Sequence, residues 1–236
     1  MNDSIQHGKK TLIRLSFCPG GSFLMPLNNM EDNGLLYFHS TSCSIERALK
    51  EKVMMGFGVG LSIAQSELYY YSQGITPNEW KYNFRSTRLK NLELPVFLRF
   101  YYGQRESSLR WLACGIRASY RIDANSEVTI WNAKQGSNGV WATDYGSKQM
   151  YQTTGIDNQY RPFRFSADVS TGSDFLIGNG IKLFVGLQTS IGLSNMLDGK
   201  LLIREGRYPK VTNGVTQETE MKTMMHGFNL QFGVCF

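Results

Sequence analysis

Residues 92–102 read LELPVFLRFYY, and their alternation decides the fold. Leu92, Leu94, Val96, Leu98, Phe100 and Tyr102 fall at every second position, with Glu93, Pro95, Phe97, Arg99 and Tyr101 between them. Successive side chains of an extended strand point to opposite faces, so one face is continuously apolar while the other carries charge. After a short polar connector, Gln104–Ser108, residues 111–123 (WLACGIRASYRID) repeat the pattern. Leu112, Cys114, Ile116, Ala118, Tyr120 and Ile122 oppose Trp111, Ala113, Gly115, Arg117, Ser119, Arg121 and Asp123. Two such strands joined by a short connector make an antiparallel hairpin.

Working outward, the alternation recurs in Val53–Ala64, Phe163–Thr171 and Ile181–Ser194, where apolar residues oppose a set rich in Gly, Ser and charge. It is fair in Thr11–Leu24 and weakest in Leu35–Leu49. A last strand sets Phe228, Leu230, Phe232, Val234 and Phe236 against Gly227, Asn229, Gln231, Gly233 and Cys235. The count is eight. Connectors alternate in length: short at Lys50–Lys52, Gln104–Ser108 and Gly178–Gly180, long at Pro26–Gly34, Glu67–Arg88, Ala124–Arg161 and Asn195–Met221. Eight antiparallel strands with alternating short and long connectors predict an all-β, up-and-down transmembrane barrel of the outer-membrane type, its short turns periplasmic and its long loops extracellular. Residues 11–236 form that single domain, and 1–10 are expected to be a periplasmic tail.

Composition agrees. The chain has 236 residues, 42% of them hydrophobic and 13% aromatic, with a mean hydropathy of -0.28. A membrane helix needs about 18 or more consecutive apolar residues, and the longest clean run, Leu94–Leu98, is far shorter. A membrane strand needs an apolar residue only at alternate positions, so a polar mean hydropathy excludes helical spanning and permits barrel spanning. The net charge of +6 is scattered rather than gathered into a basic arm, which argues against nucleic acid as a partner. Residues 1–10 (MNDSIQHGKK) lack the apolar core of an export signal, so an outer-membrane location implies that the signal is not present in this sequence.

A soluble lipocalin-like barrel would turn the same strands inside out, with the apolar set around a ligand. The other set, small residues interleaved with charges, suits a lumen better. The expected lumen network is Arg14, Glu46, Glu93, Arg99, Arg117, Arg121, Arg164, Asp168 and Lys182, filling the interior as ion pairs beside Phe97, Tyr101, Trp111 and Phe184. Bases outnumber acids in it, so a narrow anion-favouring channel is a second reading.

The segment from Asn91 to Phe100, its short turn and Trp111–Arg121 resemble the LEIPLLLKY hairpin of Bacteroidetes outer-membrane β-barrel proteins, the PorT-like and OmpX-like group. Phe165–Asn195, with Gly192-Leu193-Ser194-Asn195, is similar to that group's penultimate hairpin. Gly227, Leu230, Phe232 and terminal Phe236 resemble the C-terminal signal read by the barrel-assembly machinery. The resemblance implies a small integral outer-membrane barrel that acts as an interaction or assembly component, with secretion among the group's roles. Outer-membrane lipids, lipopolysaccharide and a membrane protein are the expected partners.

Enzymatic barrels leave a nucleophile and base to look for. His39 and Thr41 share a face with a spacing faintly like the His-x-Ser of a lipid A deacylase, without an acid placed to orient the imidazole, so a lipid hydrolase is a minor alternative. His7, His39 and His226 are scattered, and Cys18, Cys43, Cys114 and Cys235 show no CxxC spacing, so neither metal nor cofactor is expected. Gly56, Gly58 and Gly60 lie at period two within a strand and read as packing glycines rather than a phosphate loop. Arg204, Arg207 and Lys210, with Arg85, Arg88 and Lys90, are bases that could meet lipopolysaccharide phosphates.

Overall fold

A computed structural model describes residues 11–26, 31–32, 36–73, 80–105, 108–135, 141–153, 160–178, 180–196, 202–204, 211–212, 215–216, 218–220 and 223–236. The expected tail 1–10, with His7, and the bases Arg207 and Lys210 lie outside them, as does most of the connector Pro26–Gly34. Eight long strands form the wall: β1 (Thr11–Pro26), β2 (Leu36–Lys50), β3 (Val53–Gln73), β4 (Trp80–Arg105), β5 (Ser108–Gln135), β6 (Phe163–Gly178), β7 (Ile181–Gly192) and β8 (Thr223–Cys235). Each pairs antiparallel with its neighbours in sequence, and β1 pairs with β8, from Arg14↔Cys235 to Pro26↔Thr223, so the sheet closes on itself. Phe236 completes the seam: its amide donates to Ile13 O at 3.1 Å and its carbonyl accepts from Ile13 N at 2.9 Å. Closure leaves no wall edge, the condition for a sheet to sit in lipid, where unpaired backbone groups cost several kcal/mol each, on the order of a lost solvation shell.

The apolar set faces outward. Val96 is 54% exposed, Phe57 57%, Ile116 57% and Leu230 52%, while Trp111 and Phe184 inside are at 0% and 1%. This inverts the soluble-barrel alternative: its apolar lining would be buried, and here it is the outer surface. The outward run of β4 from Leu92 to Tyr102 matches the roughly 9–11 residues a tilted strand needs to cross the hydrocarbon.

Two expected loops are instead mostly strand. Glu67–Arg88 was expected as a loop, yet β3 continues to Gln73 and β4 begins at Trp80, paired from Gln65↔Arg88 to Gln73↔Trp80. Ala124–Arg161 likewise contains the end of β5 and a further strand, Trp141–Thr153, which pairs with β5 from Ser126↔Thr153 to Gln135↔Trp141. From Leu92 back to Trp80 the ladder runs roughly 40 Å past the apolar belt, at about 3.3 Å per residue. Two physical causes hid it. Above the belt water meets the outer face, so Ser86 and Arg88 replace apolar residues and the contrast between faces disappears. A register shift between Lys90 and Asn91, opposite Asp123 and Arg121, also breaks the period where the belt ends. The last long connector holds two short ladders, Leu202–Arg204 with Glu218–Glu220 and Val211–Thr212 with Val215–Thr216.

The lumen is filled by aromatics lying over glycines. A methyl group at Gly56 would sit 2.3 Å from the Phe97 ring, and one at Gly172 would sit 2.6 Å from the Trp111 indole. These glycines make room for rings that cross the barrel, so the expected packing role takes a specific form: absence of Cβ opposite a large side chain.

Candidate functional site

At the short-turn end, β1, β2, β4, β5 and β6 converge on a buried ion-pair hub. Arg14 Nε donates to Glu46 Oε1 at 2.8 Å, and its two terminal nitrogens donate to Asp174 Oδ1 and Oδ2 at 3.1 and 3.0 Å. Arg99 Nε donates to Glu46 Oε2 at 3.0 Å and its Nη2 to Oε1 at 3.1 Å. Asp174 also accepts from the Tyr101 hydroxyl at 3.0 Å and from Trp111 Nε1 at 2.8 Å. The guanidiniums stack on rings, Arg14 at 4.2 Å from the Phe184 centroid and Arg99 at 4.0 Å from that of Trp111. Two cations and two anions balance, and each carboxylate is held by several donors, which makes burial of all four charges tolerable.

Midway along the lumen Arg117 is the centre. Its Nη1 donates to Glu93 Oε2 at 2.9 Å, and its Nη2 to Asp168 Oδ1 at 3.0 Å and Ser190 Oγ at 2.7 Å. Toward the long-loop end, Arg164 donates to Asn91 Oδ1 and Arg121 to the carbonyl of Tyr160. Tyr160 is almost fully buried, and its hydroxyl meets Thr87 Oγ1 at 2.6 Å. Arg161 N donates to Met196 O at 2.9 Å, and Met196 is fully buried. The lumen is therefore crossed by polar and aromatic side chains at several levels rather than left open.

Of the expected lumen residues, Arg14, Glu46 and Arg99 meet in the hub, Glu93, Arg117 and Asp168 in the middle cluster, and Arg121 and Arg164 nearer the long loops. Lys182 stands apart. It faces the lumen opposite Cys235, half-buried, and makes no ion pair among the described residues. Asp174 was missed because the sixth strand was expected to stop at Thr171. Carrying its even-numbered face on, through Arg164, Ser166, Asp168, Ser170 and Gly172, reaches Asp174; that signal was in the sequence.

A second feature stands outside, above the apolar belt. Tyr69 on β3 lies 4.7 Å from Phe84 and 5.8 Å from Tyr82 on β4; Tyr82 lies 5.7 Å from Trp131 on β5; Trp131 lies 6.1 Å from Tyr145 on the added strand, all between ring centroids. These rings form a ladder across four strands, within the range of favourable aromatic pairs. The strand Trp141–Thr153 pairs only with β5 among the described residues. Arg88 is exposed between ladder and belt, Lys90 pairs with Asp123 at 3.1 Å, and Arg85 turns inward and is buried, so the expected basic group is divided between the two faces.

His39 lies on the outer face beside Tyr37 and Phe17, 5.1 and 6.4 Å between centroids, and no described carboxylate bonds to it. His226 stacks on Phe23 at 5.3 Å near the start of β8. Cys18 and Cys235 are buried and Cys43 and Cys114 exposed, all four as free thiols. No group of three or more metal-ligating side chains occurs among the described residues.

A protein-family model described as an outer membrane protein beta-barrel domain matches residues 13–198. No curated protein matches the sequence. Among solved structures, the chain is similar to Neisserial surface protein A, at 10% identity over 96% of each chain and a TM-score of 0.43. It is similar also to the outer membrane protease OmpT from Escherichia coli, at 8% identity over 98% of this chain and 97% of that one with a TM-score of 0.46. The attachment invasion locus protein Ail of Yersinia pestis gives 9% identity, 97% and 100% coverage and a TM-score of 0.37.

Proposed function

This chain belongs to the outer membrane β-barrel family, and from that premise we propose that it is a non-conducting interaction or assembly component whose contacts are made by the sheet that β3, β4 and β5 carry beyond the membrane. The observation that carries this reading is the ladder Tyr69, Phe84, Tyr82, Trp131 and Tyr145 above the belt, ending in a strand that pairs on one side only among the described residues. A sheet built only to cross a bilayer has no use for strands of 26 and 28 residues. Half-buried rings ending in the exposed Tyr145, beside a strand edge unpaired among the described residues, are the parts from which protein contacts are made. The ion-paired hub favours this over an anion channel, because an ion would have to separate Arg14 from Glu46 and Asp174 to pass.

The partner is another membrane protein, with the belt in contact with outer-membrane lipids and the exposed Arg88 within reach of lipopolysaccharide phosphates. The hairpin resemblance to the PorT-like group makes a secretion assembly the first setting in which to look for it. The test is extraction from native membranes in a mild detergent followed by native electrophoresis. The wild-type chain should migrate in a larger complex, and the triple variant Tyr82→Ser, Trp131→Ser, Tyr145→Ser should migrate alone while keeping its heat-modifiable fold. A wild-type chain that is monomeric in every detergent would overturn the proposal.

Biogenesis gives a separate prediction. The Phe236 side chain points outward while its backbone closes the seam, so Phe236→Ala removes the terminal aromatic of the assembly signal and keeps both seam hydrogen bonds. Its amount in the outer membrane should fall several-fold with little change in refolded stability. Wild-type abundance would show that Gly227, Leu230, Phe232 and Phe236 are not read as a signal.

A further inference from the structure

The buried charges are not all matched in the same way. Arg14, Arg99 and Arg117 each reach a carboxylate within 3.0 Å. Arg164 is buried to the same degree as Arg117, at 7% exposure, and makes no ion pair among the described residues. Its Nη2 donates to the neutral amide of Asn91, and its Nη1 reaches, among the described residues, only the Met225 sulfur at 3.9 Å. Its charged neighbours are Glu93, which Arg117 already holds, and two further cations, Arg117 and Arg121. A guanidinium left in that state costs several kcal/mol, on the order of the desolvation penalty of one ion, unless an anion joins it.

Arg164 lines a cavity in the long-loop half of the lumen, together with Ser190, Met196, His226 and Asn229. Asn229 is 1% exposed, and neither atom of its amide has a partner among the described residues. A methyl group built at Gly227 would sit 3.7 Å from Asn229 Nδ2 and 3.8 Å from Ser190 Cβ, so both side chains flank Gly227 on the cavity wall. Ser190 Oγ accepts from Arg117, so its own hydrogen remains to be given. A cation without its own carboxylate, an amide donor without an acceptor and a hydroxyl with a hydrogen to donate thus line one cavity, whose one acid, Glu93, is already held by Arg117.

We propose that this cavity is a binding site for a small oxyanion, a phosphate or a carboxylate, held by Arg164 with Asn229 and Ser190 as neutral donors. The site is independent of the outer aromatic ladder and stands if that reading fails. A guanidinium supplies planar, charge-assisted donors suited to either group, and neutral donors beside it complete coordination without adding charge.

The experiment is isothermal titration of the refolded full chain in a non-ionic maltoside with inorganic phosphate and, separately, with acetate. Saturable 1:1 binding of either probe is expected. The dissociation constant should rise at least about tenfold in Arg164→Gln and about threefold in Asn229→Ala, and stay unchanged in Arg110→Gln, a change at the exposed short-turn end. Binding of phosphate alone assigns a phosphate site, and binding of acetate alone a carboxylate site. Heat-modifiable migration checks that each variant folds. If Arg164→Gln does not fold, Asn229→Ala and Arg164→Lys decide, with weakened binding expected in both. No saturable binding of either probe up to ~10 mM, or wild-type affinity in the folded Arg164 and Asn229 variants, overturns the proposal.

Discussion

Replacing Asp174 with Ala should lower the unfolding free energy of the refolded barrel by about 3–5 kcal/mol, the usual cost of removing one partner of a buried ion pair. Asp174 accepts four hydrogen bonds in the hub, two from Arg14 and one each from Tyr101 and Trp111. Without it Arg14 keeps Glu46 and loses its bidentate partner, while the Tyr101 hydroxyl and the Trp111 indole N–H lose the carboxylate that accepts from them. Asp174→Asn should fall between, because the amide oxygen still accepts but no longer carries charge. Ser173→Ala, one position away on the opposite face, should change stability by no more than about 0.5 kcal/mol. Because Arg14 bridges Asp174 and Glu46, the double variant with Glu46→Ala should cost less than the two single losses added together. Urea titrations followed by heat-modifiable migration read all of these, and an Asp174→Ala midpoint equal to wild type would mean that the hub does not hold the barrel.

The second large effect lies on the other face. Val96 is central in the outward run of β4 and 54% exposed, so in a membrane it meets hydrocarbon. Val96→Arg should cost about 2–4 kcal/mol in a bilayer, the range for a base at the midplane of a barrel's lipid face. Tyr102→Arg, at the short-turn interface, should cost no more than about 1 kcal/mol, because there the side chain reaches headgroups and water. The gradient between the two is the measurement. Equal and small effects at both positions would mean that the outer face meets water, and the membrane assignment would fall.

Strand number and the direction of each face were legible in the amino-acid order. Lipid enforces that legibility, since each wall strand must present an apolar residue at every second position and hide its polar ones inside. Where the outer medium changes from lipid to water the constraint lapses, and the strands built from Trp80–Lys90 and Ala124–Gln135 continued unseen. Asp174 lies on the unbroken even-numbered face of β6, and the alternation is lost only beyond it, where Phe175, Leu176 and Ile177 are all exposed while the backbone ladder continues.

What alternation along one strand cannot say is which residues meet across the barrel. Arg14 and Asp174 are 160 positions apart, and their contact depends on closure of β1 on β8 and on the register of every strand between. The same holds for the difference between Arg117 and Arg164. Both stand in the sequence as inward-facing arginines, and only the closed ring gives one two carboxylates and leaves the other with an amide, because pairing of buried charges is a matter of distance across the lumen and not of position along the chain.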